Sequence, residues 1–309
     1  MILTRGAFGR IIVHAPAKVN LFFEVLAKRD DGFHEIQSLM SPIDLYDTLL
    51  FEEDRSGRIR LTCERADVGF GLSSARRHAT REERLPNDGD NLVVQAVELL
   101  RRERQIDAGA TIRLIKRIPI ASGLGGGSSD AAAALLAAST AWGVNVQRRE
   151  LTGWGARLGS DVPLFFADGM AACGGRGEVV EPVRGAGVCH LVIVRPPEGL
   201  STAAVYRACR PATRPRAMTE LLDALRRGDM MRVGAAMINR LQPVAAGLSP
   251  WIDRLAARFE RMDLPGHMMS GSGTAYFGIC RHAAHARRVA RRLIESGIGS
   301  VYTVRTCRH

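Results

Sequence analysis

One glycine-rich segment constrains the fold more than any other part of this 309-residue chain. Residues 118–130 read IPIASGLGGGSSD, and an alanine-rich stretch follows directly. Consecutive glycines can adopt positive φ angles and turn several backbone N–H groups toward one point. A helix N-terminus behind them adds about half a positive charge. The segment therefore predicts a phosphate-binding turn, followed by a helix from Ser129 to Trp142 that Ser128 or Ser129 caps.

Two familiar phosphate-binding patterns do not fit this spacing. The Walker pattern ends in Gly-Lys-Ser/Thr, and residues 118–130 contain no lysine. The dinucleotide pattern G-x-G-x-x-G fails because Ser128 stands three residues after Gly125. A flexible linker in front of a helix is the remaining alternative, and three consecutive glycines beside two serines argue against it. The segment therefore indicates a different kind of phosphate site.

The rest of the chain mixes strands and helices without a regular alternation, which predicts an α+β fold in two lobes. Alternating apolar residues predict a strand from Ile11 to Val25, with Lys18 and Asn20 on the same face and Pro16 bending or interrupting it. We expect an N-terminal domain over residues 1–172 and a C-terminal domain over 173–309. Further patterns predict strands at 110–115, 188–195 and 300–306 and helices at 91–102, 147–158, 219–226, 231–239, 250–262 and 283–296.

Composition narrows the possible classes of protein. We expect a cytoplasmic protein without a membrane partner, because no apolar stretch is long enough for a membrane helix or a signal peptide. The six dispersed cysteines predict free thiols. The net charge of +11 admits a nucleic-acid partner, but the arginines are spread among acids, which favours a solvated surface and no nucleic acid. The charged residues 54–88 predict strands with long surface loops. The chain is expected to be a monomer or homodimer.

Five short motifs carry a resemblance to a known superfamily. In chain order they are APAKVNL at 15–21, DGFH at 31–34, the glycine-rich segment, LGSDVP at 158–163 and SGSGT at 270–274. The glycine-rich segment resembles the signature of the GHMP kinases (galactokinase, homoserine, mevalonate and phosphomevalonate kinases). The full set most resembles the 4-diphosphocytidyl-2-C-methyl-D-erythritol kinase family. The resemblance implies a two-lobed fold, with an N-terminal lobe like ribosomal S5 domain 2 and a ferredoxin-like C-terminal lobe.

This resemblance also implies a reaction, in which the γ-phosphate of ATP passes to the 2-hydroxyl of a cytidine-diphospho sugar alcohol during isoprenoid precursor synthesis. Lys18 and Asp161 are the implied catalytic pair, since a carboxylate can accept the hydroxyl proton and a lysine can stabilise developing charge. Asp161 could instead, or in addition, cap a short helix at Pro163. Mg²⁺ is expected with ATP, its ligands are unassigned, and Ser128 is a weak candidate. The implied ATP contacts are Pro119, Ser122, Gly123, Leu124, Gly125, Gly126, Gly127, Ser128 and Ser129.

Substrate-binding residues follow from the same resemblance. It implies that Asn20 hydrogen-bonds the erythritol part and that an aromatic residue and a histidine grip the cytosine. That pair is Phe33 and His34 here; the family usually has tyrosine at the first position, so stacking should persist without a phenol hydrogen bond. Tyr206 matches a second stacking ring, close after Thr202. Ordinary structural roles remain the alternative for Phe33, His34 and Tyr206.

Some features leave the interpretation open. Gly271 and Gly273 predict either a second turn near the transferred phosphate or a plain turn into a strand. Lys116 could reach the nucleotide or stand at a solvated strand end. Residues 239–243 read NRLQP where the resemblance leads us to expect acidic residues. The rival functions are another GHMP kinase, of the homoserine or mevalonate type, and a non-catalytic nucleotide- or RNA-binding protein prompted by the positive charge.

Overall fold

Two β-sheets with helices packed on them make up residues 1–66 and 89–307, the part of the chain that this computed structural model describes. The predicted α+β class is therefore confirmed. The strands are β1 Ile2–Arg5, β2 Ile11–Lys28, β3 His34–Asp54, β4 Ile59–Arg65, β5 Gly109–Lys116, β6 Ala171–Gly174, β7 Val179–Pro182, β8 His190–Arg195, β9 Ile238–Asn239, β10 Gly266–Met269, β11 Tyr276–Cys280 and β12 Ser300–Arg305. The helices are α1 Leu92–Arg104, α2 Gly126–Ala141, α3 Arg148–Leu158, α4 Thr202–Ala208, α5 Thr219–Arg227, α6 Met230–Ala236, α7 Gln242–Leu248, α8 Pro250–Glu260 and α9 Ala283–Glu295.

The larger sheet is built around the long antiparallel pair of β2 and β3. Its main path runs β1-β2-β3-β5-β4, while β6 joins β3, β7 joins β6 and β9 joins β2. Proline cannot donate a hydrogen bond to a ladder, so a bend at Pro16 was expected. The strand is not interrupted at this position, but its register shifts between Pro16 and Ala17, which is an irregularity of the kind expected there. The residue opposite Pro16 is Tyr46, and the ladder continues on both sides.

The smaller sheet has the order β10-β11-β8-β12, and each of its pairings is antiparallel. Helices α8 and α9 pack on it through buried residues such as Leu255, Phe259 and Leu293. Apart from the two-residue strand β9, the strands of the larger sheet end along the chain at Pro182 in β7, and the smaller sheet begins at His190. We propose that the lobes divide between these two strands; a boundary at residue 172 remains a prediction.

Helix α2 lies against the larger sheet and directly follows the glycine-rich segment. It packs against β2 and β3, and alanines on all its sides are buried. Small side chains let the helix approach the sheet closely, as expected of a helix that is apolar all round. The helix begins at Gly126 with Gly125 at its N-cap, three residues before the predicted start. The predicted cap at Ser128 or Ser129 is wrong because the backbone becomes helical within the glycines.

Several short elements differ from the sequence expectations. Asp161 does not cap a helix, because the 3₁₀ turn at Pro163–Phe166 has Val162 at its N-cap. Helices α4 and α7 are each seven residues long, too short for a clear periodic pattern. Residues 59–65 form a strand as expected, whereas the predicted loops at 67–88 lie outside the described residues. All six cysteines are free thiols, and no described helix is long and apolar enough to cross a membrane.

The Phe259→Ala variant tests the packing of the second lobe. Phe259 is fully buried, and its ring lies 5.1 Å from that of Tyr276, measured between centroids. Removing a buried aromatic ring leaves a cavity and costs about 3–5 kcal/mol of unfolding free energy. Denaturant unfolding should show that loss, whereas Leu248→Ala, at a side chain that is 46% exposed, should change stability by less than about 0.5 kcal/mol. Equal effects of the two variants would contradict the packing described here.

Candidate active site

A cavity of about 980 Å³ lies where the glycine-rich segment, β2, α4 and the turn after β10 meet. A volume of this size suits a ligand as large as a nucleotide or a drug-sized molecule. The cavity brings together residues that are far apart in sequence, and both lobes contribute to its walls. Among the residues predicted for the site, its lining includes Lys18, Phe33, His34, Pro119, residues 122–128, Asp161, Thr202 and Tyr206.

The glycine-rich segment forms a tight turn that requires glycine at specific positions. Gly123 and Gly125 have φ angles of +76° and +69°. A Cβ atom at Gly123 would lie 2.2 Å from the carbonyl oxygen of Ser270, and one at Gly125 would lie 2.8 Å from Cγ of Lys18. Other side chains are therefore excluded by space as well as by backbone conformation. The turn holds the N-terminus of α2 at the cavity wall, where its N–H groups can bind an anion.

Ser129 differs from the rest of the predicted phosphate-binding residues because it does not line the cavity. Its backbone N–H donates to the carbonyl oxygen of Gly125 at 3.0 Å, and its side chain is buried within α2. The first N–H groups of a helix have no partner within the helix, and the helix ladder claims the later ones. The N–H groups of Gly126, Gly127 and Ser128 are therefore the ones suited to phosphate.

Lys18 and Asp161 meet at the cavity as an ion pair. The distance from Nζ of Lys18 to Oδ2 of Asp161 is 3.3 Å. The lysine side chain is only 4% exposed, whereas the aspartate is 28% exposed and can reach a ligand. Strand β2 supplies Lys18, and the backbone before the 3₁₀ turn supplies Asp161. Two catalytic candidates from separate motifs thus lie within reach of a single substrate hydroxyl.

Asn20 lies behind Lys18 and is absent from the cavity lining. Its Oδ1 atom accepts a hydrogen bond from Nζ of Lys18 at 2.7 Å, and its Nδ2 atom donates to Oγ of Ser38 at 2.9 Å. Ser38 in turn donates to the carbonyl oxygen of Phe22 at 2.7 Å. This chain of hydrogen bonds fixes the ammonium group of Lys18. The geometry favours Asn20 as a support for Lys18 over a direct contact with the substrate.

Below the glycine-rich segment, Lys116 lies between two buried carboxylates. Its Nζ atom donates to Asp47 and, at 2.5 Å, to Oδ2 of Asp130. Oδ1 of Asp47 also accepts from the backbone N–H groups of Arg117, at 2.5 Å, and Ile118, at 2.8 Å. The cluster therefore ties together β3, the end of β5 and α2. Lys116 lines the cavity as well, so the alternative of a solvated strand end is wrong.

The charges of this cluster shift the pKa values of its members. Burial raises the pKa of Asp130 to about 8, which the carboxylate of Asp47 reinforces and Lys116 opposes. Burial alone would lower the pKa of Lys116, but Asp130 and Asp47 raise it above its usual value. One lysine facing two aspartates is electrically balanced when one carboxyl carries a proton. Burial therefore favours the protonated form of Asp130 within this cluster.

The three aromatic residues predicted for cytosine, Phe33, His34 and Tyr206, all line the cavity. The ring centroids of His34 and Tyr206 are 5.4 Å apart. Burial, with a contribution from Lys28, lowers the pKa of His34, so its imidazole is neutral at pH 7. Phe33 is 48% exposed, and the guanidinium carbon of Arg176 lies 4.9 Å from its ring centroid. Phe33 is therefore not a core residue.

The second small-residue turn, residues 270–273, packs directly against the glycine-rich segment at the cavity wall. Gly271 and Ser272 line the cavity, and the hydroxyls of Ser272 and Thr202 are 2.8 Å apart. This contact connects α4 with the turn. A turn that served only to lead into a strand would not need Gly271 and Ser272 at the cavity wall.

The sequence analysis missed Asp47, Asp130 and Arg176. Asp130 belongs to the glycine-rich segment but had no recognised role, and it is paired in the structure. Asp47 lies in a long strand and Arg176 in a turn between short strands, so neither gave a sequence signal. Arg176 donates to the carbonyl oxygen of Ala156 at 2.8 Å, which holds its guanidinium beside Phe33.

Comparison with known proteins places these features in context. A family model described as the GHMP kinases N terminal domain matches residues 91–169, and one described as GHMP kinases C terminal matches residues 221–299. A 4-diphosphocytidyl-2-C-methyl-D-erythritol kinase of Pelotomaculum thermopropionicum is 39% identical over 280 residues, 90% of this chain and 92% of that protein. A protein of the same name from Bacillus cytotoxicus is 35% identical over 96% of both chains.

Solved structures agree with the sequence relatives. A crystal structure of 4-(cytidine 5'-diphospho)-2C-methyl-D-erythritol kinase has a TM-score of 0.74 and 31% identity, covering 96% of this chain and 99% of that one. Homoserine kinase from Cytophaga hutchinsonii has a TM-score of 0.72 at 18% identity, covering 100% and 98% of the two chains, and this likeness shows the fold alone. The predicted two-lobed GHMP kinase fold is confirmed.

The Asp130→Asn variant tests the protonation of the buried cluster. The pKa of Asp130 is about 8 in the folded protein against an ordinary value of 3.8. A raised folded pKa stabilises the protein at low pH, and this contribution is lost as the pH rises through about 8. Asparagine does not titrate, so the melting temperature of the wild type should fall relative to that of the variant between pH 5 and pH 8.5. If the melting temperatures of the wild type and the variant change with pH by the same amount over this range, Asp130 is ionised throughout it.

Proposed function

Because the chain belongs to the GHMP kinases, and within them to the 4-diphosphocytidyl-2-C-methyl-D-erythritol kinase family, we propose that it phosphorylates the 2-hydroxyl of that cytidine-diphospho sugar alcohol with ATP. The reaction would serve isoprenoid precursor synthesis. The observation that carries the proposal is the 3.3 Å ion pair of Lys18 and Asp161, which lies between a phosphate-binding turn and an aromatic pocket in one cavity.

Phosphoryl transfer to an alcohol needs a group that receives the hydroxyl proton and a group that stabilises charge. Asp161 is the proposed base, since its carboxylate is partly exposed to the cavity. The nearby ammonium group of Lys18 would lower the pKa of the bound hydroxyl and stabilise charge on the transferred phosphate. Because Asn20 holds Lys18 from behind, the lysine cannot swing away from the reacting atoms.

The glycine-rich segment would bind the phosphates of ATP. The N–H groups of Gly126, Gly127 and Ser128 begin α2, so they combine free hydrogen-bond donors with the positive end of the helix dipole. Pro119, Ser122, Gly123, Leu124 and Gly125 shape the turn that leads to them. This arrangement would direct the end of the triphosphate toward Lys18, since Gly125 packs directly on the lysine side chain.

The aromatic end of the cavity would hold the cytidine part of the alcohol substrate. A neutral imidazole at His34 presents one donor and one acceptor, which matches the edge of a cytosine base. Phe33 and Tyr206 would stack on the base, and burial raises the pKa of Tyr206, so its phenol stays neutral. Thr202, whose hydroxyl lies 2.8 Å from that of Ser272, would contact the sugar alcohol.

Magnesium fits this site as a companion of the nucleotide. No group of three His, Cys, Asp or Glu side chains with metal-ligand geometry occurs in residues 1–66 and 89–307. Mg²⁺ in nucleotide sites commonly takes phosphate oxygens and waters plus one or two protein ligands. We propose the hydroxyl of Ser128, in the first turn of α2, as one such oxygen. The metal would neutralise part of the charge on the phosphates.

The rival functions receive less support from the site. Homoserine and mevalonate lack a nucleobase, so neither would need the adjacent rings of His34 and Tyr206. A non-catalytic RNA-binding protein would have no use for a buried lysine paired with a carboxylate at the end of a phosphate-binding turn. The +11 charge is compatible with a field that attracts anionic small substrates.

The Asp161→Asn variant tests the proposed base and the substrate together. ADP release should be measured with the cytidyl alcohol, homoserine and mevalonate in parallel, and we expect turnover with the cytidyl alcohol alone. Loss of the base should lower kcat about 10²–10⁴-fold. Asp168→Asn is the matched control, since Asp168 is 63% exposed and pairs with Arg148 at the surface. Turnover with homoserine alone would reject the substrate assignment, and unchanged kcat in Asp161→Asn would reject the base.

The aromatic grip on cytosine is tested at Phe33. Stacking on a base contributes about 1–3 kcal/mol, so Phe33→Ala should raise KM for the cytidyl alcohol about 5- to 150-fold. Phe33→Tyr retains the ring and should keep this KM within about threefold, and KM for ATP should stay constant in both variants. If Phe33→Ala raises both KM values equally, Phe33 stabilises the cavity as a whole and does not stack on the base.

A further inference from the structure

The segment Asn239–Gln242, which carries no acidic residue, is fully engaged in the structure. Arg240 forms an ion pair with the buried Glu24 at 2.6 Å. The Oε1 atom of Gln242 accepts from the backbone N–H of Met269 at 2.9 Å, and its Nε2 atom lies 3.3 Å from the phenol oxygen of Tyr276. Each polar side chain therefore has a structural partner, and the segment reaches both sheets.

Asn239 makes the contact that bears on the active site. Its Nδ2 atom donates to two backbone carbonyl oxygens, those of Met269 and Gly271, each at 2.8 Å. Its Oδ1 atom accepts from the backbone N–H of Leu241 at 2.9 Å. The amide is buried and satisfied at both ends. Aspartate has almost the same shape but would place a carboxylate oxygen against the two carbonyls.

The second small-residue turn, residues 270–273, touches both the phosphate-binding segment and the catalytic lysine. Oγ of Ser270 donates to the carbonyl oxygen of Gly123 at 3.1 Å. A Cβ atom built at Gly271 would lie 3.2 Å from Nζ of Lys18 and 3.3 Å from Oδ1 of Asn20. A displacement of this turn would therefore move the surroundings of the ammonium group directly.

The backbone of Asn239 is attached to the strand that carries Lys18. Strand β9 pairs in parallel with β2, with Asn239 opposite Phe23, and the N–H of Arg240 donates to the carbonyl oxygen of Phe23 at 2.8 Å. Asn239 thus connects the Lys18 strand, through its backbone, with the second small-residue turn, through its side chain.

We propose that Asn239 is a positioning residue for phosphoryl transfer, which holds the second small-residue turn against Lys18 through the hydrogen bonds that its amide donates to Gly271 in the turn and to Met269 directly before it. This inference rests on the proposed kinase function. Asn239 does not line the cavity, so it acts through Gly271 and not by touching a substrate. Displacement of reacting groups by about 1 Å can cost about 10²-fold in rate. Its loss should therefore affect kcat more than the binding of either substrate.

The experiment compares Asn239→Asp with Arg240→Gln, a change at the neighbouring residue. Arg240→Gln weakens the pair with buried Glu24 and so lowers stability, but it leaves the hydrogen bonds to Met269 and Gly271 intact. For each variant, kcat, both KM values and the melting temperature are measured. We expect both variants to lose melting temperature, and Asn239→Asp alone to lose kcat, by about 10–100-fold, with the KM of the cytidyl alcohol within about threefold.

A second variant, Asn239→Ala, keeps the test decisive if Asn239→Asp does not fold. It removes the two hydrogen bonds donated to Met269 and Gly271, and the one accepted from Leu241, without placing a charge beside the carbonyls, so kcat should fall less than in Asn239→Asp. Unchanged kcat in a folded Asn239 variant, or an equal loss of kcat in Arg240→Gln, would overturn the proposal. If the wild type phosphorylates homoserine or mevalonate instead, the substrate assignment fails, and the same kcat comparison with that alcohol still tests Asn239.

Discussion

The close packing of backbone around Lys18 is the constraint on which the rest of the site depends. The backbone N–H of Lys18 donates to the carbonyl oxygen of Leu124 at 2.9 Å, so its strand is joined to the phosphate-binding turn. Gly125 contacts the side chain from one direction and Gly271 from another. A lysine confined in this way has few rotamers available, and its ammonium group keeps one position relative to the phosphates. Only small residues in the two turns allow their backbones to approach the lysine this closely.

Charge burial is the second organising feature of the molecule. Strands β2 and β3 place Glu24 and Asp47 in the interior, where an isolated charge would be strongly destabilising. Each carboxylate has a cation from another element, Arg240 for Glu24 and Lys116 for Asp47. Such pairs contribute little net stability, but the removal of one partner is costly. They therefore specify which elements pack together, and both pairs join elements that surround the cavity.

The sequence predicted the features that depend on local chemistry. The glycine-rich segment could be recognised because successive glycines have few other uses, and the strand with Lys18 followed from alternating apolar residues. The start of α2 was placed three residues late, since glycine is a poor helix former and propensity gave no reason to extend the helix into the turn. The pairing of Lys116 with Asp47 spans 69 residues and depends on strand register, which no local pattern encodes.

The two-residue strand β9 shows why the remaining part of the site escaped prediction. Two residues are too few for a periodic pattern, and a parallel pairing with β2 links positions more than 200 residues apart. Residues 239–243 looked like a departure from the family pattern because their charges were compared with that pattern one position at a time. In the folded chain, Arg240 complements Glu24 on β2, and the amides of Asn239 and Gln242 hold the backbone at β10 and the turn behind it. Amides can donate and accept at once, as carboxylates cannot, so polar residues without charge are suited to holding a backbone turn beside a catalytic cation.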